Sequence, residues 1–269
     1  WDAADWKVIN PLMDQGLMPT LEKLVNQGTM GKIATLDPPY SPMLWTSIAT
    51  GKRPFKHGIH GFLEPTPDGA SVRPISSTSR TAKAFWNIFT LHGINTNVIG
   101  WWPSHPAEAI NGIMISNLYH KATGTIDKPW NMADGTVHPS GKAGLFADMR
   151  IHPAELTPAH VLPFVPKLGE IEDPANNKHL QGLVSTIAQA STLHASTTYI
   201  LEEDTWEVTA LYLEAIDHLC HGFMKYYPPR RPHVKEKEFE WFKDVVDGVY
   251  RFHDMMLDRL LELAGDDTT

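Results

Sequence analysis

Apolar residues recur at helical spacing late in the chain, at Phe239, Phe242, Val246, Val249, Met256, Leu260 and Leu263. That spacing predicts one long amphipathic helix over Glu238–Leu263, ending at Gly265. Earlier apolar runs are shorter and differ in kind. Leu21–Gln27 reads as a helix stopped by Gly28, and Ala82–His92 as a helix stopped by Gly93. Pro42–Ala49 reads as a helix with Ser41 at the N-cap, Pro42 in the first turn and Gly51 just after it. Thr96–Gly100, Gly112–Ser116 and Val208–Ile216 are compact apolar runs of strand length, and His179–Glu203 is a further helix. Short buried strands alternating with helices predict an α/β fold: a mainly parallel central sheet flanked by helices. Tyr119–Pro174 has no sustained period and is rich in Pro, Gly and His. With apolar anchors at Trp130, Phe146, Leu162 and Phe164, it reads as an irregular cap or insertion. The expected organisation is a core over 1–118, the cap and its following helix over 119–203, and a return to the core over 204–269.

Composition narrows the function classes. Of 269 residues, 42% are hydrophobic and 20% charged, enough apolar material for a sizeable core. The formal charge of −8 disfavours a nucleic-acid polymer as partner, since phosphate-backbone binders are basic. A single cysteine, Cys220, excludes an internal disulfide and a CxxC metal site. No apolar run reaches the ~18 residues of a membrane span. The chain opens at Trp1-Asp2 and closes at Asp266-Asp267-Thr268-Thr269, and both ends read as cut; location and oligomeric state stay open.

Three short stretches carry candidate chemistry. In "PPYSPMLWTSIATGKRPFKHGIHGF", Ser41 stands where a helix begins. A helix N-terminus offers free N–H groups and the positive end of the dipole, which suits a phosphoryl group. The same geometry serves an ordinary cap. In "LEAIDHLCHGF", Asp217 and His221 form D-x-x-x-H after a strand, one helical turn apart, able to grip one zinc-like ion or to form a plain solvated turn. His218, next to Asp217, is the competing ligand. In "WDAADW", Asp2 is the first candidate acid and Asp5 the alternative; a helix cap is the plain reading.

Order and setting of these stretches resemble the alkaline phosphatase superfamily, in its type I phosphodiesterase/nucleotide pyrophosphatase-like branch. The resemblance is carried by "WDAADW", "MPTLEKLVNQGTMG", the T-G-x-x-P-x-x-H-G-I element at Thr50–Ile59, "GWWPSHPAEAINGIMISN" and "LEAIDHLCHGF". It implies an alkaline phosphatase-like fold and a hydrolase of phosphoric esters. It places the nucleophile on Ser41, not Thr46 or Ser47, and implies a phosphoseryl intermediate. It implies two divalent metal ions, zinc first and manganese as the alternative, with Asp2 and Ser41 on one and Asp217 and His221 on the other. The implied partner is a small-molecule phosphate ester, with the insertion deciding between monoester and diester.

Further candidates surround this set. Pro42, Met43, Lys52 and Trp101 are expected substrate contacts, with backbone N–H groups after Ser41 expected to cradle the phosphoryl group. Lys52 and Arg53 also read as a solvated loop, His57 as structural, and Trp101, Trp102 and His105 as pocket lining or core. His120, His138 and His152 could shape access. The branch completes its sites with an S-D-H-G motif after the next strand and a later His, and the chain reads as ending before either; Leu44 stands where nucleotide-acting members carry Asn. A sulfatase is disfavoured because Ser41-Pro42-Met43-Leu44-Trp45 lacks the C/S-x-P-x-R pattern. A phosphonate- or phospho-sugar-acting enzyme of the superfamily and a non-catalytic binding or scaffold relative remain the rivals.

Overall fold

A computed structural model describes residues 1–121, 124–127 and 130–269. The helices are α1 (Trp6–Asp14), α2 (Pro19–Gln27), α3 (Ser41–Thr50), α4 (Pro54–His57), α5 (Phe85–Leu91), α6 (Ala143–Asp148), α7 (Pro158–Val161), α8 (Lys178–Glu203), α9 (Ala215–Phe223), α10 (Glu236–Phe242) and α11 (Val245–Ala264). The strands are β1 (Leu63–Pro65), β2 (Val72–Pro74), β3 (Thr96–Ile99), β4 (Met114–Ile115), β5 (Val137–His138) and β6 (Val208–Leu211).

The central sheet has the order β5-β4-β3-β6, and β1 and β2 form a separate antiparallel pair. Strand β3 pairs in parallel with both β4 and β6, and β5 closes the far edge antiparallel to β4. This is the expected mainly parallel α/β sheet. Every residue of β3 is buried because both faces are covered. Alternation along the pleat sorts its side chains. Val98 and Met114 enter one cluster with Trp86, Trp101 and Tyr212, while Ile99 and Ile115 enter the larger cluster on the opposite face, which takes in side chains of α1, α8, α9 and α11.

Several elements differ from their expected limits. The run Val208–Ile216 divides: β6 ends at Leu211, and Ala215 and Ile216 already belong to α9. The expected long helix Glu238–Leu263 is two helices, α10 and α11, separated at Lys243–Asp244. Phe242 packs in an aromatic cluster with His179, Phe223 and Tyr226, whereas α11 packs along α2, α8 and α9. The two-residue turn at Lys243–Asp244 divides the run into two helices while apolar residues on both sides of it stay buried. The region read as a cap includes residues 122–123 and 128–129, which lie outside the described residues. Its strand β5 joins the central sheet, so part of this region is sheet edge.

Long-range hydrogen bonds to Asp254 and Tyr250 tie the N-terminal helices to α11. The Asp254 carboxylate accepts from the N–H groups of Thr20 and Leu21 at 3.1 and 2.8 Å, capping α2, whose own N-cap Met18 has no capping side chain. The Tyr250 hydroxyl accepts from the Asp5 N–H at 3.0 Å. At the entrance to β4, Gly112 has φ +135°, and a Cβ there would meet the Thr96 carbonyl oxygen at 2.2 Å.

Candidate active site

The C-terminal ends of β3 and β6 open onto the candidate site, the position where parallel sheets bind ligands. Just past β6, the Leu213 carbonyl accepts from the Asp2 N–H at 2.9 Å. Ala3 then takes φ +57°, a left-handed conformation that costs a non-glycine residue roughly 1 kcal/mol. Asp5 caps α1, accepting from the Lys7 N–H at 2.9 Å. The two acids of "WDAADW" therefore have different work: Asp5 is the helix cap, and Asp2 is turned inward.

Asp2 is 7% exposed, and both its oxygens are held. Oδ1 accepts from Trp45 Nε1 at 2.9 Å. Oδ2 accepts from the Ser41 hydroxyl at 2.9 Å and from the Tyr212 hydroxyl at 2.8 Å. Burial and the neighbouring Asp2 charge push the Tyr212 phenol far above its ordinary range, so it stays protonated and donates. Trp45 and Tyr212 also meet edge-on, with ring centroids 4.7 Å apart.

Ser41 is the first residue of α3; its N-cap is Tyr40, which makes no side-chain capping bond. The expected Ser41 cap is thus corrected. Its hydroxyl goes to Asp2 because the Tyr40 carbonyl already receives the N–H groups of Met43 and Leu44, each at 3.0 Å. Pro42 has no N–H to offer. The backbone cradle expected from Pro42 and Met43 is therefore spent inside the helix start, and both side chains are buried. Thr46 and Ser47 give their hydroxyls to the carbonyls of Pro42 and Met43 at 2.6 and 2.9 Å. Of the three hydroxyls, only that of Ser41 points to a carboxylate.

Asp217 and His221 both lie on α9, with Nε2 of His221 3.4 Å from Oδ1 of Asp217. The His221 side chain is 81% exposed and that of Asp217 23%. Burial, followed by the charge of Asp2, raises the Asp217 carboxyl above its ordinary pKa. The negative charge that disfavours ionised Asp217 is one that a cation would neutralise. His218 turns to Glu214, 3.8 Å away. Glu214 is also held by buried His120 at 3.1 Å, which brings its pKa down to about 2 against the cost of burial.

The donors present are of the right type for a zinc-like ion: carboxylate and hydroxyl in one pair, carboxylate and imidazole in the other. Their number is short, because no group of three His, Cys, Asp or Glu side chains converges among the described residues.

The raised Asp217 carboxyl yields a signed prediction. Ionised Asp217 is disfavoured in the folded state, so its penalty is absent below the ordinary carboxylate range. The penalty grows as pH rises through the folded pKa and is then constant. Asp217→Asn is therefore expected to raise the Tm of metal-free protein at pH 7. The gain should vanish below about pH 4. Thermal melts in chelator at both pH values check it; an unchanged or lower Tm at pH 7 contradicts the charge argument.

The other candidates fall elsewhere. Lys52 follows the C-terminus of the ten-residue α3, about 15 Å along the helix from Ser41. The expected contact of Lys52 with a phosphoryl group on Ser41 is not supported by this placement. Arg53 is likewise exposed. Trp101 is buried, donates to the Trp45 carbonyl at 3.3 Å and packs edge-on against the Trp45 ring, so it supports the floor beneath Trp45. Trp102 meets Phe62 edge-on at 6.0 Å. His105 bonds Ser116 at 3.1 Å, and His152 caps the short turn at Pro153–Glu155. His138 is a β5 residue opposite Met114. His57 is fully buried between the Ser47 hydroxyl at 3.0 Å and the Ile59 N–H at 3.1 Å, a structural role. A hollow of about 1490 Å³ lies between α2, α8 and α11, lined by Leu24, Phe164, Met255 and Leu261 among others. It contains none of Asp2, Ser41, Asp217 and His221, so the site is placed by chemistry and not by volume. Tyr212 and Trp45 are the site residues that sequence reasoning missed.

Comparison with solved structures finds phosphonoacetate hydrolase from Sinorhizobium meliloti 1021, solved in complex with phosphonoacetate. The TM-score is 0.50 at 15% identity, over 98% of this chain and 52% of that one. At this identity the likeness concerns the fold, and the chain spans about half the length of that protein. A comparison with curated proteins gives no match. The family profile described as type I phosphodiesterase / nucleotide pyrophosphatase matches residues 1–269. With the whole of the sequence inside that match, the chain belongs to the type I phosphodiesterase / nucleotide pyrophosphatase family.

Proposed function

We propose that the protein hydrolyses small phosphoric esters through a phosphoseryl intermediate on Ser41. The observation that carries this reading is the 2.9 Å bond from the Ser41 hydroxyl to Oδ2 of a buried, doubly braced Asp2. Family membership supports the substrate class. Ser41 Oγ forms the bond to phosphorus while the bond from phosphorus to the leaving oxygen breaks. The hydroxyl proton has Oδ2 of Asp2 as its acceptor, and the leaving oxygen takes a proton from water. In the second step the hydroxide left by that proton transfer forms a bond to phosphorus while the bond from Ser41 Oγ to phosphorus breaks, releasing phosphate or a phosphomonoester, and Oδ2 of Asp2 returns its proton to Oγ. Ser41 stands at the positive end of α3, which favours the negative phosphoryl group.

Asp2 with Ser41 and Asp217 with His221 are proposed to hold two divalent ions, zinc first and manganese as the alternative. When bound, such ions polarise the phosphoryl oxygens and lower the cost of the developing charge. The Asp2 charge contributes to raising the Asp217 carboxyl above its ordinary pKa, which a cation beside them would offset.

A non-catalytic relative is the second reading. It is favoured by the absence, among the described residues, of three converging metal donors. The full-length protein assayed with bis-p-nitrophenyl phosphate and p-nitrophenyl phosphate separates the two. Hydrolysis is expected to disappear after chelation and to return with zinc or manganese, by about a hundredfold or more. Hydrolysis that is indifferent to chelation contradicts the metal assignment. No hydrolysis of either ester, with either metal, supports the scaffold reading.

A further inference from the structure

We infer that Tyr212 is a positioning residue, whose hydroxyl fixes the Asp2 carboxylate so that the nucleophile and a cation are presented with one geometry. The inference rests on the reading of Ser41 and Asp2 given above. It assigns to Tyr212 a role that acts through Asp2.

Tyr212 stands one residue beyond β6. It is 1% exposed, and its backbone N–H donates to the Ile99 carbonyl at 3.0 Å, extending the sheet ladder past the strand. Its ring lies in the cluster with Val98, Trp101 and Met114. Packing would be served equally by Phe. The phenolic oxygen is the difference, and its hydrogen bond goes to Oδ2 of Asp2 at 2.8 Å. A buried hydroxyl with that single partner is committed to it, because losing the partner leaves an unpaired polar group.

A carboxylate offers about four lone-pair positions, two on each oxygen. Tyr212 and Ser41 take both positions on Oδ2, and Trp45 takes one on Oδ1. One position on Oδ1 remains. With Oδ1 and Oδ2 each anchored by a rigid aromatic donor, the carboxylate plane cannot swing. The Ser41 hydroxyl then has a single acceptor, and the remaining lone pair has a single direction. The bond from the Asp2 N–H to the Leu213 carbonyl at 2.9 Å fixes the same residue by its backbone. Tyr212 and Leu213 are neighbours, so one strand end holds both the main chain and the side chain of Asp2. Partners of this kind, one step behind a ligand, typically change affinity or activity by 10–100-fold when removed.

The test is Tyr212→Phe in the full-length protein, beside Ser41→Ala. Three quantities are read: kcat and KM for bis-p-nitrophenyl phosphate, zinc affinity by competition with a chromogenic chelator, and Tm. Removing one oxygen while keeping the ring is expected to lower kcat or zinc affinity by about 10–100-fold. KM should stay within about threefold and Tm within about 3 °C. Tyr212→Phe with kcat and zinc affinity both within twofold of wild type overturns the inference. So does a lowered Tm with those two values unchanged, which marks a purely structural tyrosine. Ser41→Ala separates the two levels of the argument. If that variant stays active, the reading of the site itself fails. If it is inactive while Tyr212→Phe behaves as wild type, only the positioning role fails.

Discussion

Ser41→Ala is expected to lower kcat/KM for phosphoester hydrolysis by about a thousandfold or more, with Tm within about 2 °C of wild type. The size follows from losing the nucleophile, which no neighbour can replace. The Thr46 and Ser47 hydroxyls are bonded to backbone carbonyls within α3, and Ser47 also holds His57. Stability should barely move, because Ala suits the first turn of a helix and Asp2 keeps its bonds to Trp45 and Tyr212. Steady-state hydrolysis of bis-p-nitrophenyl phosphate, with circular dichroism melts of the same samples, checks both halves. Activity above a tenth of wild type sinks Ser41 as nucleophile. A collapse in Tm alongside lost activity leaves the loss attributable to unfolding, and Ser41→Thr, which restores a hydroxyl, should then recover hydrolysis.

Gly112→Ala is the largest expected loss of stability, at about 3 kcal/mol or more. The new Cβ would stand 2.2 Å from the Thr96 carbonyl oxygen and 2.8 Å from Asn95 Oδ1. That carbonyl belongs to backbone at the start of β3 and cannot yield without disturbing the sheet's centre. The φ of +135° lies where a side chain is strained in any case. In a chain of this size the cost corresponds to a Tm lower by roughly 6–12 °C. A melt within 2 °C of wild type contradicts this account. Gly16→Ala is the matched control: its φ is +68° and its added Cβ meets nothing within 4 Å, so only the conformational penalty should remain.

How far the fold was legible depended on whether a residue's surroundings were local. Gly28, Gly93 and Gly265 mark helix ends in the structure as in the sequence, because a helix end is set by its own last turn. The run Val208–Ile216 was over-read as strand because continuous apolar character does not separate a buried strand from the first turn of a buried helix. The break between α10 and α11 was hidden for a related reason: the period records which side is apolar, not which partner it meets.

For the candidate site, Asp2, Ser41, Asp217 and His221 stood out as polar groups at strand and helix ends. Tyr212 and Trp45 did not, because "VTALYLEAI" and "MLWTSIA" read as core, and their rings are core. Only their single polar atoms face Asp2. The available signal was general: a buried Tyr or Trp usually finds a partner for its O–H or N–H. Which partner depended on bringing together residues 43 and 210 positions apart.

That separation has a consequence for synthesis of the chain. Asp2 and the nucleophile helix are made before β6, and the strand end that braces Asp2 follows about 170 residues after Ser41. At 5–20 residues per second this is an interval of roughly 10–30 s. Throughout it Asp2 lacks the Leu213 carbonyl that later accepts from its backbone N–H and the Tyr212 hydroxyl that later donates to its carboxylate. A nascent chain interrupted before β6 therefore carries Ser41 without the braced acid beside it, and the paired centre forms only once translation has passed Leu213.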